Sequence, residues 1–579
     1  MNRMLLKNTE VRKRGASRQL VVILHAWTMS SVNMRDIVKA VEETMVDADL
    51  LVPDYPGRLF SNADPIKVAE ELGAEIERAV TSRKQQVSKT EANSAYEEII
   101  LIGHSLGALL VRKAFVFAKG QTQDQSRVVQ PKPKEWADSV SRIILMAGTN
   151  RGWTFEKKAR DLSLVNWWLY RGGAFLYRWI RLGRLINSVR RGAPFVVNLR
   201  IQWLNLIRGK ENLPPTIQLL GDRDDVVTEE DNVDIQSGAR FIYNNVRNTG
   251  HEDVIQFDSA TERREVFLYA LLTPAEDLAS DFYPPLEPDD TVNLVTFVMH
   301  GIRDYGHWTD DLGERIKELG GQCGTNVYPI TASYGYFPML GFLLQPERQD
   351  HVRWFTDRYT EAIAKYPNAR ICFVGHSNGT YLLASALRRY AAMAFDNVVF
   401  AGSVVPRNFP WDQIAYEKRI SRIRNYVASQ DWVVAIFPAV FEAISRYSDL
   451  GSGGHNGFLE ETGREFTIEF ARGGHGAAIK RDNFDAIARF ILGENVPREE
   501  HEQAFLAEEQ VGIFVLANKF CWFIWLVLIA VIATLCFGSA VAALSDGWHP
   551  EIIGLAQWIP WWVPPVFGPP LIYLLFRCI

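Results

Sequence analysis

A chain of 579 residues and 65.8 kDa is too long for one hydrophobic core and predicts about three or four folding units. Its 47% hydrophobic and 23% charged residues are the balance of a globular protein, which excludes a largely disordered, collagenous or coiled-coil chain. A formal net charge of -5 excludes a global basic field for nucleic acid, and five cysteines without a close pair argue against a disulfide or zinc framework.

In chain order, residues 1–20 carry scattered charges and no apolar run of signal-peptide length, so nothing here directs the N-terminal part out of the cytosol. A first strand is expected at 19–24 (QLVVIL), a helix at 32–43 and a second strand at 50–52. An amphipathic helix (IKVAEELGAEIERAV) leads to a strand at 98–102, with further strands at 142–146 and 216–220. Strands alternating with helices of this length predict an α/β fold, a mostly parallel sheet with helices on both faces. Residues 273–291, rich in Pro and acid, read as a linker. The pattern then restarts with strands at 292–299, 370–374, 397–401 and 423–427, so two tandem units are expected at 17–272 and 292–496.

An acidic juxtamembrane stretch at 497–519 precedes an uncharged run at 520–544, long enough to cross roughly 30 Å of hydrocarbon. A second uncharged run at 552–576 contains Pro560, Pro564, Pro565, Pro569 and Pro570, which oppose a straight helix, so crossing, re-entry and an interfacial position all stay open. Residues 520–579 are thus expected to form a transmembrane region, a single span or a hairpin. Lys519 and Arg577 flank the runs while the connecting SDGWHPE has no Lys or Arg, which predicts an integral membrane protein with its soluble units in the cytoplasm.

Gly103-His104-Ser105-Leu106-Gly107 sits between a strand and an apolar helix, a context that lifts a serine hydroxyl onto a sharp turn. A serine hydroxyl needs a base, and the base an orienting acid. Gly221-Asp222-Arg223-Asp224-Asp225 and Gly250-His251 follow later strand candidates in the order Ser, Asp, His. GHSLG, GDRDDVV, TGHEDV, LHAW at 24–27 and PDYPG at 53–57 resemble the α/β-hydrolase superfamily, on its lipase and esterase side. The resemblance implies Ser105 as nucleophile, Asp224 as acid, with Asp222 and Asp225 flanking it, and His251 as base. It also implies an oxyanion hole from the N–H of Leu106 and one near Ala26 or Trp27. His25-Ala26 stands where many members have His-Gly.

The second half repeats each motif: His300-Gly301, Gly375-His376-Ser377-Asn378-Gly379, Ser429-Gln430-Asp431 and Gly473-Gly474-His475. Ser105 lies 80 positions after His25, and Ser377 lies 77 after His300. By the same resemblance Ser377, Asp431 and His475 form a second triad, with Asn378 and Ile302 at its oxyanion hole. His455 competes for the base, but His475 directly follows a strand. No metal or organic cofactor is implied.

Nucleophile and acid are 119 positions apart in the first half and 54 in the second. The excess, a lid insert at about 155–212, has Arg171, Arg178, Arg181, Arg184, Arg190, Arg191, Arg200 and Arg208 interleaved with Trp and Tyr, and 162–210 lacks Asp and Glu. Such a stretch suits an interfacial helix on anionic headgroups, or a lid packed on its own core with solvated arginines. The expected function is a membrane-anchored serine hydrolase acting on acyl esters or thioesters of a lipid or amphiphile, with no nucleic-acid partner. The other reading is a scaffold or regulatory membrane protein built on silent hydrolase domains.

Overall fold

The computed structural model describes residues 5–13, 18–58, 60–87, 96–121, 132–153, 183–209, 213–224, 241–258, 260–281, 288–302, 306–331, 335, 337, 342, 345–444, 449–459, 466–494, 506–507, 509–527 and 530. The chain divides into two compact units. Unit 1 comprises Met1–Thr291, Val352–Asn368 and Arg388–Met393, and unit 2 comprises Val292–His351, Ala369–Leu387 and Ala394–Ile579.

Unit 1 is built on six parallel strands: β1 (Gln19–Leu24), β2 (Asp49–Leu51), β3 (Glu98–His104), β4 (Val140–Met146), β5 (Thr216–Gly221) and β6 (Phe241–Val246). They lie in the order β2-β1-β3-β4-β5-β6. The apolar runs suit a sheet buried on both faces, because alternate side chains enter different cores. Leu20, Val22 and Leu24 join one cluster, and Val21 and Ile23 join the other. Helices α1 (Arg35–Thr44), α2 (Pro65–Val87), α3 (Leu106–Ala118), α4 (Pro194–Arg208) and α5 (Thr261–Leu272) complete the layers. Part of the 273–291 stretch is not free chain: Ser280 Oγ accepts from Tyr243 N–H, and Asp281 N–H donates to Tyr243 O, along the edge of β6.

Unit 2 repeats the design with β7 (Leu294–Met299), β8 (Val327–Ile330), β9 (Arg370–His376), β10 (Phe395–Ala401), β11 (Ile420–Ala428) and β12 (Phe466–Ala471). Their order is β8-β7-β9-β10-β11-β12, the arrangement of the first sheet strand for strand. The helices α6 (His307–Gln322), α7 (Gln345–Lys365), α8 (Asn378–Arg389), α9 (Trp432–Ile444), α10 (Phe484–Leu492) and α11 (Gly512–Lys519) follow in sequence, and residues 352–365 of α7 belong to unit 1.

The described part of the lid insert changes the reading of its arginines. Arg200 and Arg191 donate to the Asp357 carboxylate at 2.8 Å, joined by Arg151 at 3.0 Å, and Arg208 donates to Ile363 O. Arg200 is buried in this cluster, while Arg208 stays exposed and Arg184 pairs with Asp64 at the surface. Trp203 packs against Phe115. Arg171, Arg178 and Arg181 lie outside the described residues.

Among the described residues no helix is long and apolar enough to cross a membrane. The expected spans fall almost wholly outside them: of 520–544 only 520–527 and 530 are described, and of 552–576 none is. Helical structure at this end begins at Gly512, inside the stretch read as acidic and juxtamembrane.

Candidate active site

β1 and β3 are neighbours in register, Leu24 opposite Gly103, so the loop after β1 and the turn after β3 emerge side by side at the carboxyl ends. Parallel sheets place ligands there, where the strand order reverses direction. Ser105 stands at φ 51° and ψ −114°, a strained backbone for a residue with a side chain. The flanking glycines make the turn sterically possible. A Cβ on Gly103 would lie 2.5 Å from Gly107 O, and one on Gly107 would lie 2.5 Å from both Leu24 O and His25 O.

Ser105 Oγ–H donates to His251 Nε2 at 2.9 Å, and His251 Nδ1–H donates to Asp224 Oδ2 at 2.9 Å. β3, the turn after β5 and the loop after β6 bring the three together. The neighbouring carboxylate does not face the histidine ring. Instead Asp222 Oδ1 accepts from Thr249 N–H at 3.1 Å and ties the two loops. Asp225 lies outside the described residues.

The sequence reading missed His104. Its Nε2–H donates to the backbone carbonyl of His251 at 2.9 Å, and burial, reinforced by the His251 ring, pushes its pKa down to about 3. A neutral, single-tautomer ring therefore props the loop that carries His251. The signal was present, since a histidine precedes the serine in both halves.

His25 settles which peptide of the β1 loop is oriented. Its Nδ1–H donates to Ala26 O at 2.7 Å, its Nε2 accepts from Tyr55 N–H at 3.2 Å, and the Tyr55 ring stacks on it at 4.2 Å. Burial lowers its pKa, which suits the neutral tautomer these bonds require. In a trans peptide the C=O and the following N–H point in opposite directions. Pinning Ala26 O therefore aims the Trp27 N–H away from the His25 ring, and neither this group nor the Leu106 N–H makes a backbone hydrogen bond among the described residues. A cavity of about 350 Å³ lined by Pro56, Arg58, Phe60 and Ser61 opens on the adjoining loop, without any of the three site residues.

Unit 2 shows the same parts in a different state. Ser377 has φ 50°, and Ser377 N–H donates to Ala401 O as Ser105 N–H does to Met146 O. His475 Nδ1–H donates to Asp431 Oδ2 at 2.8 Å, and Asp431 Oδ1 accepts from Val434 N–H. His300 Nδ1–H pins Gly301 O at 2.8 Å, the counterpart of the His25 contact, and so orients the Ile302 N–H. A Cβ on Gly301 would lie 2.8 Å from Ser377 Cβ, which accounts for glycine here where unit 1 carries Ala26. Asn378 opens α8 directly after the serine. No hydrogen bond joins Ser377 to His475 among the described residues, and Ser377 is buried where Ser105 is half-exposed. Burial opposes a charge on His475, but Asp431 outweighs it and holds the imidazole above its ordinary pKa. His455 is fully buried in a short helical turn, so Asp431 meets His475 and not its competitor. Unit 2 also carries an apolar stretch at 334–344 (YGYFPMLGFLL), of which Phe337 and Phe342 are buried against each other and most of the rest lies outside the described residues. Among the described residues no cluster of His, Cys, Asp or Glu is placed to hold a metal ion.

No protein-family model and no curated protein matches the sequence. Among solved structures the chain is similar to the peroxisomal α/β-hydrolase Lpx1 of Saccharomyces cerevisiae, at 14% identity and TM-score 0.29 over 48% of this chain and 83% of that one. It is similar to Est1E of Butyrivibrio proteoclasticus, solved with ferulic acid, at 15% identity and TM-score 0.28 over 45% and 94%. A thermophilic esterase of Thermogutta terrifontis follows at 14% and 0.27 over 45% and 92%. Each likeness spans about half of this chain and assigns it no family. The fold itself is α/β, with two six-stranded parallel sheets of the same strand order.

Proposed function

We propose that the chain is a membrane-anchored serine hydrolase that cleaves acyl esters or thioesters of a lipid or other amphiphile, with Ser105 as nucleophile, His251 as base and Asp224 as orienting acid. One observation carries the reading: an unbroken hydrogen-bonded series from Asp224 through His251 to a serine held at positive φ. Ser105 Oγ attacks the substrate carbonyl carbon as its proton passes to His251 Nε2. Asp224 stabilises the resulting imidazolium through Nδ1–H. The oxyanion is received by the N–H groups of Leu106 and Trp27, a contribution of roughly 3 kcal/mol per donor. His251 then returns the proton to the leaving alcohol or thiol, and water repeats the sequence to release the acid. Membrane attachment through 520–579 rests on the uncharged runs, and a cytoplasmic placement of the soluble units on Lys519 and Arg577.

Ser377, Asp431 and His475 supply a second site with Asn378 and Ile302 at its oxyanion hole. The missing Ser377–His475 hydrogen bond favours a second reading, in which unit 2 is silent and regulatory. A fluorophosphonate probe separates the two. Ser105→Ala is expected to abolish labelling of unit 1 and lower ester hydrolysis there by roughly 10⁴-fold or more. Residual labelling that disappears only with Ser377→Ala means two working sites, and no labelling of the intact chain sinks the hydrolase reading.

A further inference from the structure

The chain approaching the expected membrane region does not hang free of unit 2. Leu506 bridges Ala471 in antiparallel fashion beside β12, and Ala507 N–H donates to Phe470 O at 2.7 Å. Val511 N–H donates to Ser429 O at 3.0 Å. Ser429 lies two residues before Asp431, and Ala471 four before His475, so these bonds join the loops that carry the acid and base of the second site. Those loops are also tied to each other, Gly473 N–H donating to Ser429 Oγ and Gln430 N–H to Gly473 O.

From Gly512 to Val527 the chain is almost entirely helical, and its two faces differ in surroundings but not in polarity. Phe514, Ala517, Asn518, Cys521, Ile524 and Trp525 recur at helical spacing and turn toward α9. Pro438 interrupts the ladder of α9, and the carbonyls just before it take side-chain donors from this face. Asn518 Nδ2–H donates to Ala435 O at 3.0 Å, and Trp525 Nε1–H donates to Ile436 O at 3.1 Å. Cys521 packs with Ala439 and Val440.

The opposite face carries Ile513, Val515, Leu516, Phe520, Trp522, Phe523, Leu526 and Val527, all exposed, with Lys519 as its one charge. A water-facing helix carries polar residues at such positions. Beyond Val527 the sequence runs on into the uncharged stretch 528–544. Trp432, which directly follows Asp431, is 39% exposed, and its ring meets Phe437, which meets Trp525 on the inner face.

We propose that the exposed face of 511–527 docks unit 2 on a lipid bilayer, and that its bonds to Ser429 and Phe470 hold the Asp431–His475 loops, with exposed Trp432 beside Asp431, at that surface. The occupant is lipid because the exposed side chains of 511–527 are apolar but for Lys519, and in sequence they lead into the uncharged run that completes a segment of bilayer-spanning length. Charge agrees, since Lys519 is placed to reach the headgroups beside Trp522. This rests on the membrane attachment proposed above, and deepens it by naming which surface and which site meet the bilayer.

The test uses the full chain reconstituted in vesicles of radiolabelled phosphatidylcholine, with p-benzoylphenylalanine replacing Leu516, Phe520, Phe523 or Trp432 in turn. Photolysis is expected to transfer lipid label to the protein from all four positions, at least tenfold above the same group placed at exposed Tyr416 or Tyr328. Label at the first three positions without Trp432 overturns the placement of the second site. Crosslinking to a second copy of the chain, or labelling no stronger than at Tyr416, overturns the docking face. Fluorophosphonate labelling of Ser105 in the same vesicles reads the hydrolase proposal separately. Lipid transfer without it removes the enzyme and keeps the surface, and the reverse result removes the surface and keeps the enzyme.

Discussion

Lys113 is a buried cation in the middle of α3, where its ammonium meets Gln202 Oε1 at 2.7 Å and the rings of Phe117 and Phe195. Burial lowers its pKa to about 7, only partly offset by Glu70. The folded chain therefore binds fewer protons at this site than the unfolded one between about pH 7 and the ordinary lysine value. Stability accordingly rises with pH across that window. Lys113→Met keeps the stem and removes the titration. It is expected to raise the melting midpoint of the full chain at pH 7 by roughly 2–4 °C, with the advantage shrinking toward pH 10. A constant difference at all pH values would show that the amine is charged or neutral throughout. Arg112, its neighbour, is held differently: its guanidinium donates to Asn150 Oδ1 and lies over the rings of Trp203 and Phe241.

At the level of elements, the entry into α3 decides whether the two oxyanion donors converge. Gly107 lets the first turn of α3 touch the end of β1, and a methyl group there would sit 2.5 Å from two carbonyl oxygens. Gly107→Ala is expected to push the helix start away and separate the Leu106 N–H from the Trp27 N–H. The fluorophosphonate labelling rate of Ser105 should fall about 100-fold while the chain stays folded. An unchanged rate would mean that the close approach does not set the site. The sequence carried much of this level openly. The strands are apolar on both faces because both faces are covered, so their runs stand out, and the Ser, Asp, His order recurs at their ends. What stayed hidden had no such pattern. β8 is four residues with three only partly buried or exposed, and α7 is a polar helix whose inward side chains include Asp357 and Thr360. The choice of Asp224 over Asp222 turns on which carboxylate Thr249 N–H already occupies. The gap between Ser377 and His475 is a matter of packing that motif spacing cannot register.

At the scale of the whole molecule, unit 1 is not a contiguous stretch. Residues 352–368 and 388–393 complete it, with Tyr390 Oη–H donating to Gly192 O and Asn198 Oδ1 accepting from Ala392 N–H. At its centre burial opposes ionisation of Asp357, yet Arg200, Arg151 and Arg191 bring its pKa down to about 2. This contribution is present above the ordinary aspartate value near 4 and is lost as pH falls toward 2. Asp357→Ala leaves three guanidinium groups around an empty site and is expected to destabilise unit 1 by about 3–5 kcal/mol, measured as the denaturant midpoint of the full chain. A shift below about 1 kcal/mol would show the cluster to be solvated. Fragment 1–291, cut at the apparent linker, should likewise fail to show a cooperative transition.

That discontinuity sets a schedule on the ribosome. Once residue 291 has been added, 77 more residues must follow before Asn368 exists, which at about 5–20 residues per second is roughly 4–15 s. Through that interval the nascent first sheet waits with its arginines uncompensated, exposed to whatever chaperone reaches the tunnel exit first.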